Sequence, residues 1–184
     1  MPLSTVPAVA RPFGVALGSP LEVVATLDFA SDAPLAFLTQ TTLSVDDTAM
    51  IIAALKERFP QIVGPKAEDI CYATSNRQAA VKRIAPKSDL VLVIGAPNSS
   101  NSLRLVEVAE RCGTTAQLIE RAADIDPAWL DGVGTVGLTA GASAPEMLVR
   151  EVIDRLGEWR SVDERTLMTA EEKMVFKLPR QLLD

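Results

Sequence analysis

The sequence predicts an α/β fold in which mainly parallel sheets are flanked by helices. Short apolar runs alternate with amphipathic stretches from about residue 34 onward, which is the order expected of repeated strand and helix units. The run LVLVIG (90–95) is apolar throughout, as in a strand buried on both faces of a parallel sheet. A hydrophobic content of 48% in 184 residues is enough for a packed core and excludes a disordered chain.

The first predicted elements are a short strand and a capped helix. LAFLT (35–39) is a compact apolar run and predicts the strand. Ser44 and Asp47 have the spacing of a helix N-terminus, and Pro60 stops the helix that follows. The apolar residues of this helix share one face: Met50, Ile51, Ala54 and Leu55.

The central elements surround the buried strand at 90–95. A helix from about Ser75 to Ala85 precedes this strand. The polar loop APNSSNS follows it and opens another helix, which Gly113 ends. The runs AQLI (116–119) and VGTVGLTAG (133–141) predict two further strands.

The two ends of the chain carry weaker signals. Ser143 and Glu146 have the spacing of a capping box, and Pro145 falls in the first turn of the helix they would open, where proline is tolerated. MVFKLP (174–179) predicts a final strand. Residues 1–20 contain four prolines and no helical period, so they predict a loop.

Composition excludes several classes of partner. A net charge of −6 repels nucleic acid and anionic membrane surfaces. No apolar run approaches the roughly 20 residues that a membrane span requires. Two cysteines, 41 positions apart, do not suggest a disulfide framework and favour a reducing, cytoplasmic location. Because the overall field is negative, an anionic ligand would have to be held by local donors.

Four polar junctions open predicted helices: TQTTLS, CYATSN, PNSSNS and TAGASAP. Backbone N–H groups at a helix N-terminus attract anions, and hydroxyl or amide side chains add neutral donors. Such junctions could hold a phosphate or diphosphate at the carboxyl ends of the strands. The alternative is that these residues serve only as helix caps, which is their commonest role. Both interpretations stay open on composition alone.

Cys71 lies at one of these junctions, where the helix dipole favours a thiolate. On position alone it could be a small buried side chain, a nucleophile or a metal ligand. A nucleophile needs a neighbouring base, and the sequence contains no histidine. An iron–sulfur site needs three or four ligands, and the other cysteine, Cys112, lies in a helical pattern that indicates packing.

Four motifs occur together in a fixed order: LTQTTLSVDDT, DICYATSNRQAAV, NSSNSLRL and VGLTAGASAPEMLV. In order and spacing they closely resemble the LytB/IspH family of 4-hydroxy-3-methylbut-2-enyl diphosphate reductases. The resemblance runs from about Val15 to Leu178 and is densest from Leu35 to Arg150.

The resemblance implies an iron–sulfur oxidoreductase of non-mevalonate isoprenoid biosynthesis. Members hold a [4Fe–4S] cluster through three cysteines and receive electrons from a ferredoxin or flavodoxin type of protein. They remove the substrate hydroxyl to give isopentenyl and dimethylallyl diphosphates. By this resemblance Cys71 is one cluster ligand, and Thr41 contacts the substrate. The diphosphate would be bound by the remaining matched residues: Ser99, Ser100, Asn101 and Ser143.

The family has three similar α/β modules, of which this sequence would supply about two. We expect an unmatched segment at 1–14, part of the second module at 15–70, the third module at 71–160 and a C-terminal tail at 161–184. The family's other cluster cysteines, its substrate-binding histidines and its catalytic glutamate belong to a first portion that this sequence does not contain. No catalytic residue is therefore assigned here.

With one cluster ligand, the isolated chain is expected to form no stable cluster and to have no reductase activity. A truncated product, half of a split enzyme and a misplaced start are all consistent with the sequence. Uncovered apolar surface would favour self-association or binding of a missing N-terminal fragment. Two alternatives to the enzyme fragment are a non-catalytic diphosphate-binding module and a non-functional remnant that folds poorly.

Overall fold

A computed structural model describes residues 20–65 and 70–167 of the chain. The elements in these two ranges are five α-helices and three strands, with three short 3₁₀ turns between them. The helices are α1 (Pro20–Ala25), α2 (Val45–Arg58), α3 (Tyr72–Ile84), α4 (Ser100–Arg111) and α5 (Glu146–Trp159), and the strands are β1 (Leu90–Ile94), β2 (Thr115–Ile119) and β3 (Val136–Ala140). The predicted α/β class is confirmed.

The three strands form one parallel sheet in the order β2-β1-β3. Leu90 at the start of β1 is in register with Thr115 of β2 and Val136 of β3. Every residue of β1 is buried, because this strand is central and both of its faces are covered by helices. The apolar run at 90–95 is thus explained by its place in the sheet.

Side chains of β1 alternate between two separate cores. Val91 and Val93 pack with α3 and α4 on one face, where Val81 and Leu105 are fully buried. The other face is covered by α5 and the 3₁₀ turns that precede β3; its buried residues are Leu90, Leu92, Ile94, Ile119, Ile125, Leu130 and Val152. The connections after β1 and β3 therefore lead to helices on opposite faces of the sheet.

The first part of the described chain forms a smaller cluster around α1 and α2. Phe59, just after α2, is 1% exposed and packs with Val24 and Leu55. The predicted strand at 35–39 is wrong: Ala36 makes only an isolated parallel bridge to Val63. Two backbone hydrogen bonds flank this bridge. Pairing over so few residues does not form the hydrogen-bonded ladder of a strand.

Two of four predicted helix boundaries agree with the structure. The Ser44 hydroxyl accepts a hydrogen bond from the Asp47 N–H, as its spacing predicts. Gly113 has a φ of 86°, a left-handed conformation suited to the residue after a helix end. The helix expected to begin at Ser75 begins earlier, at Tyr72. The predicted capping box at Ser143 does not form, because Pro145 itself occupies the N-cap position of α5.

Two further expectations concern the ends of the chain. The strand predicted at 174–179 lies outside the described residues, and so does the loop predicted at 1–20 except for Pro20, which is the first residue of α1. Among the helices that the structure describes, none combines the length and apolar character needed to cross a bilayer.

Candidate functional site

The candidate site lies at the carboxyl edge of the sheet, between β1 and β3. These strands are neighbours, yet the chain leaves them for helices on opposite faces, α4 after β1 and α5 after β3. In open α/β sheets such a reversal leaves a crevice beyond the strand ends, where ligands bind. The connections that leave the two strands at this edge are residues 95–99, before α4, and residues 141–145, before α5.

Ser99 is fixed as the N-cap of α4. Its hydroxyl oxygen accepts hydrogen bonds from the Ser102 N–H at 3.3 Å and from the Ser102 hydroxyl at 3.0 Å. With both lone pairs engaged, the hydroxyl proton of Ser99 can be donated to an acceptor outside the protein. This arrangement suits a ligand made only of acceptors, such as the oxygen atoms of a phosphate.

Ser102 lies between two glycines that end neighbouring strands. A Cβ built on Gly95 would be 2.1 Å from the Ser102 hydroxyl oxygen, and one on Gly141 would be 2.5 Å from it. The Ser102 side chain is 1% exposed, so it fills the space that two side chains would otherwise occupy. The glycines therefore let the two strand ends approach the first turn of α4.

Asn101 is buried at the same place, and its side chain has no hydrogen-bond partner among the described residues. The residue is 8% exposed, and neither its Oδ1 nor its Nδ2 makes a hydrogen bond. Its Nδ2 lies 3.7 Å from the position of a Cβ on Gly141, which places it beside the β3 connection. Buried amide groups without partners are rare in native proteins, which makes Asn101 a candidate for contact with a ligand.

The other two predicted diphosphate contacts are exposed. Ser100 is the first residue of α4, and its backbone is part of the helix N-terminus. Ser143 lies in the exposed connection from β3 to α5, two residues after Gly141. No side-chain hydrogen bond caps α5, and the Ser143 hydroxyl is therefore not used to close that helix.

Thr41 and Cys71 are brought together at the N-terminus of α3. The backbone N–H of Cys71 donates a hydrogen bond to the Thr41 carbonyl oxygen at 3.1 Å. Both residues are exposed, so the interpretation of Cys71 as a small buried side chain is wrong. Cys71 is the N-cap residue of α3 and makes no side-chain cap hydrogen bond, which leaves its sulfur outside the helix.

The orientation of α3 places this pair at the same sheet edge as the serines. The end of α3 lies at the start of β3, because a Cβ on Gly137 would be 2.5 Å from Ile84. A 13-residue helix is about 20 Å long, comparable to the height of the sheet, so its first residue reaches the opposite, carboxyl edge.

Charged contacts hold the start of α2 against α3 and α4. Arg111 donates a hydrogen bond to Asp47 at 2.7 Å, and Lys82 pairs with Asp46 at 2.6 Å. The Arg111 hydrogen bond lowers the pKa of the Asp47 carboxyl against the opposing effect of burial. The same bond raises the pKa of Arg111. These pairs anchor the segment that follows Thr41.

Sequence reasoning missed two residues of this architecture, Ser102 and Gln78. Ser102 was visible only as part of the polar run after β1, and its packing depends on Gly141, which is distant in sequence, as well as on nearby Gly95. Gln78, which contacts the segment after Thr41 from α3, gave no sequence signal because a single glutamine within a helix is usually a surface residue.

The comparison with known families decides the membership of this chain. Residues 11–157 match the family described as LytB protein. The chain belongs to the LytB family.

Curated LytB relatives are named 4-hydroxy-3-methylbut-2-enyl diphosphate reductase. The protein from Edwardsiella ictaluri is 60% identical over 148 residues, which are 80% of this chain and 47% of the relative. The protein from Ruegeria pomeroyi is 61% identical over 160 residues, 86% of this chain and 51% of the relative. The chain thus spans about half the length of the curated relatives it matches.

A solved LytB-family structure has the same fold over most of the chain. The E-1-hydroxy-2-methyl-but-2-enyl-4-diphosphate reductase from Plasmodium falciparum superposes with a TM-score of 0.76 at 35% sequence identity. The match covers 88% of this chain and 51% of the Plasmodium chain. It confirms the α/β architecture.

The cysteines of this chain do not by themselves fit the three-thiolate cluster that the family resemblance implies. The sequence contains two cysteines and no histidine. Cys112 follows α4 and packs beside the core shared by α3 and α4, whereas Cys71 is at the carboxyl edge. Across residues 20–65 and 70–167, no three His, Cys, Asp or Glu side chains gather as a metal site requires.

Proposed function

We propose that this chain supplies the diphosphate-binding part of a 4-hydroxy-3-methylbut-2-enyl diphosphate reductase, together with one thiolate, Cys71. The other cluster ligands would come from protein equivalent to the half of the relatives that this chain does not span. The complete enzyme would reductively remove the hydroxyl of an isoprenoid diphosphate, using electrons from a ferredoxin or flavodoxin type of donor.

The observation that carries this proposal is the unpartnered amide of Asn101. A buried amide without a hydrogen bond costs about 1–3 kcal/mol, and a bound ligand that supplies the partner removes that cost. The Ser99 hydroxyl can donate beside it, and the N–H groups in the first turn of α4 add further donors. The Asn101 amide, the Ser99 hydroxyl and the α4 backbone N–H groups are three kinds of neutral donor. Together they would bind a phosphate group without a lysine, which suits a protein of net charge −6.

Exposed Ser100 and Ser143 complete the proposed diphosphate contacts from either side of the crevice. Thr41 and Cys71 would contact the hydroxyl-bearing end of the substrate. They lie at the N-terminus of α3, whereas the proposed diphosphate contacts lie on the connections after β1 and β3.

Titration calorimetry with inorganic pyrophosphate tests the binding half of the proposal. Ser99→Ala and Asn101→Ala are each expected to weaken binding about 10- to 100-fold, since a hydrogen bond to a charged group contributes about 1.5–3 kcal/mol. Ser88→Ala is the matched control, because Ser88 donates to the Ile84 carbonyl at the other edge of the sheet. Equal affinities for the three variants and the unmodified chain would refute the site.

A non-catalytic diphosphate-binding module is the second candidate, and the absence of a three-ligand metal cluster among the described residues favours it for the chain alone. Anaerobic reconstitution with iron and sulfide separates the two. A cluster is expected only when a fragment carrying the other cysteines is supplied, and Cys71→Ser should prevent it. Cluster formation by the Cys71→Ser chain with that fragment would exclude the proposed ligand role.

A further inference from the structure

The segment that carries Thr41 is held along α3 by a single buried glutamine. Gln78 Nε2 donates to the Leu43 carbonyl at 2.9 Å, and Gln78 Oε1 accepts from the Val45 N–H at 3.1 Å. Gln78 is 1% exposed and lies two turns into α3 from Cys71. One side chain therefore satisfies two backbone groups, from more than 30 positions away in sequence.

These contacts align the segment with α3 residue by residue. At the start of the helix, the Thr41 carbonyl is bonded to the Cys71 N–H. In the middle, the backbone of Leu43 and Val45 is bonded to Gln78. Near the end, Asp46 pairs with Lys82. Thr41 is itself exposed, so the turn that contains it depends on neighbouring contacts for its position. Of these contacts only the one to Gln78 is deeply buried, whereas Lys82 and Asp46 are 39% and 61% exposed.

We infer that Gln78 is a positioning residue that fixes Thr41 against Cys71 through the backbone of Leu43 and Val45. The inference rests on the proposed function, in which Thr41 and Cys71 face the same end of the substrate. It concerns the geometry of that half of the site and leaves the diphosphate half, formed around Ser99 and Asn101, unaffected.

Gln78→Glu is the decisive variant because it keeps the size of the side chain and makes one of its two hydrogen bonds depend on pH. The ionised carboxyl can accept from the Val45 N–H but can only repel the Leu43 carbonyl, whereas the protonated form can donate to it. In the full chain, we expect the Cys71 amide to lose at least tenfold of its hydrogen-exchange protection at neutral pH. Acidification should return that protection and the amide's NMR peak to the positions seen in the unmodified chain.

The charged groups around Gln78 require that the unmodified chain be titrated in parallel. Lys82 and Asp46 lie one turn further along, and Asp47 lies beside them with Arg104 and Arg111. The effect of the introduced carboxyl is therefore taken from the difference between the two pH profiles.

Thr114→Val is the matched control for general loss of stability. The Thr114 hydroxyl also makes a buried hydrogen bond between distant segments, to the Ala85 carbonyl at 2.7 Å, but at the amino edge of the sheet. This variant should lower the protection of all slowly exchanging amides together and show no pH-dependent recovery at Cys71. Equal effects of Gln78→Glu and Thr114→Val on the Cys71 amide would overturn the inference.

A binding experiment links this geometry to the ligand. Gln78→Glu at neutral pH should leave the affinity for inorganic pyrophosphate within about twofold and weaken that for 4-hydroxy-3-methylbut-2-enyl diphosphate roughly tenfold. Equal weakening of both ligands, or of neither, would overturn the positioning role. If neither ligand binds the unmodified chain, the proposed function fails, while the exchange profile still decides whether Gln78 fixes Thr41 against Cys71.

The unmodified chain provides a second measurement in case the variant does not fold. The side-chain amide protons of Gln78 and the backbone amide of Cys71 should exchange through one shared opening, with the same dependence on urea. Faster, urea-independent exchange at Cys71 would show that Thr41 and Cys71 separate while Gln78 stays bound, and would overturn the inference.

Discussion

Replacing Gly141 by alanine is expected to disturb the binding crevice through one contact, with Ser102. The added Cβ would lie 2.5 Å from the Ser102 hydroxyl oxygen, while its next neighbours, Asn101 Nδ2 and the Ile94 carbonyl oxygen, are at an ordinary 3.7 Å. Ser102 is 1% exposed and its hydroxyl is bound to Ser99, so it cannot turn away without breaking that bond. The strain is therefore transmitted to Ser99, which we assign to the diphosphate.

Overpacking of this kind costs typically about 1–3 kcal/mol, and we expect about 2 kcal/mol for Gly141→Ala. In a protein of this size that corresponds to a fall in Tm of roughly 4–8 °C, measurable by calorimetry or circular dichroism. Pyrophosphate affinity should fall roughly tenfold as Ser99 is displaced. Gly157→Ala is the control: apart from its chain neighbours and the backbone of α5, no described atom lies within 4 Å of its Cβ, and alanine within α5 should stabilise by about 0.4–1 kcal/mol.

A second substitution at Ser102 tests the reasoning. In a Ser102→Ala background the oxygen is gone, so Gly141→Ala should cost almost nothing. Gly95→Ala should stay costly in that background, because its Cβ would also lie 2.6 Å from the Ser102 Cβ, which alanine retains. If Gly141→Ala costs the same with and without the Ser102 hydroxyl, the proposed packing of the crevice is incorrect.

The remaining predictions concern the α2 anchor and the two cysteines. Arg111 lowers the pKa of the Asp47 carboxyl in the folded state below its ordinary value of 3.8. The ionised carboxyl therefore stabilises the fold at pH values above 3.8, and this stabilisation is lost as the pH falls from 3.8 through the lowered pKa. Asp47→Asn should therefore lower the free energy of unfolding at pH 7, by up to about 1 kcal/mol, and a gap to the unmodified chain that persists at pH 2 would contradict this. Ser44→Ala removes the α2 cap and should cost about 1 kcal/mol in urea unfolding, and no change would show that the cap is not used. Iodoacetamide should alkylate exposed Cys71 before half-buried Cys112, as followed by mass spectrometry, and the reverse order would contradict the assigned exposures. Cys112→Ser should leave unfolding and pyrophosphate binding nearly unchanged, and a large loss in either would give Cys112 a role beyond packing.

Local signals predicted most of the fold because they depend on neighbours in sequence. The continuous apolar run at 90–95 and the glycine after α4 need no knowledge of the tertiary structure. The run at 35–39 failed as a strand because a strand requires a partner of matching length, and Val63 provides only a single bridge. The capping box at Ser143 failed because Pro145 takes the cap position first.

The site could be predicted only in part, for a related reason. Polar runs after β1 and β3 correctly indicated that donors collect at the carboxyl edge, since parallel strands end together. The burial of Asn101, the packing of Ser102 and the clamp formed by Gln78 are contacts between segments 30 or more residues apart. Hydrophobic periodicity carries no information about such polar, long-range contacts.

Diphosphate binding and cluster ligation require different residues. We therefore expect the isolated chain to bind pyrophosphate without forming a cluster. The proposed crevice around Ser99 and Asn101 is bordered by β1, the connection after β3 and the first turn of α4, all within the described chain. On our proposal, pyrophosphate binding there requires no other protein. Cys71 stands alone at the same edge, and a cluster requires at least two more thiolates. Pyrophosphate should consequently bind the isolated chain with the full dependence on Asn101. A chain that bound it only after a cysteine-bearing fragment was supplied would show that the crevice itself is incomplete.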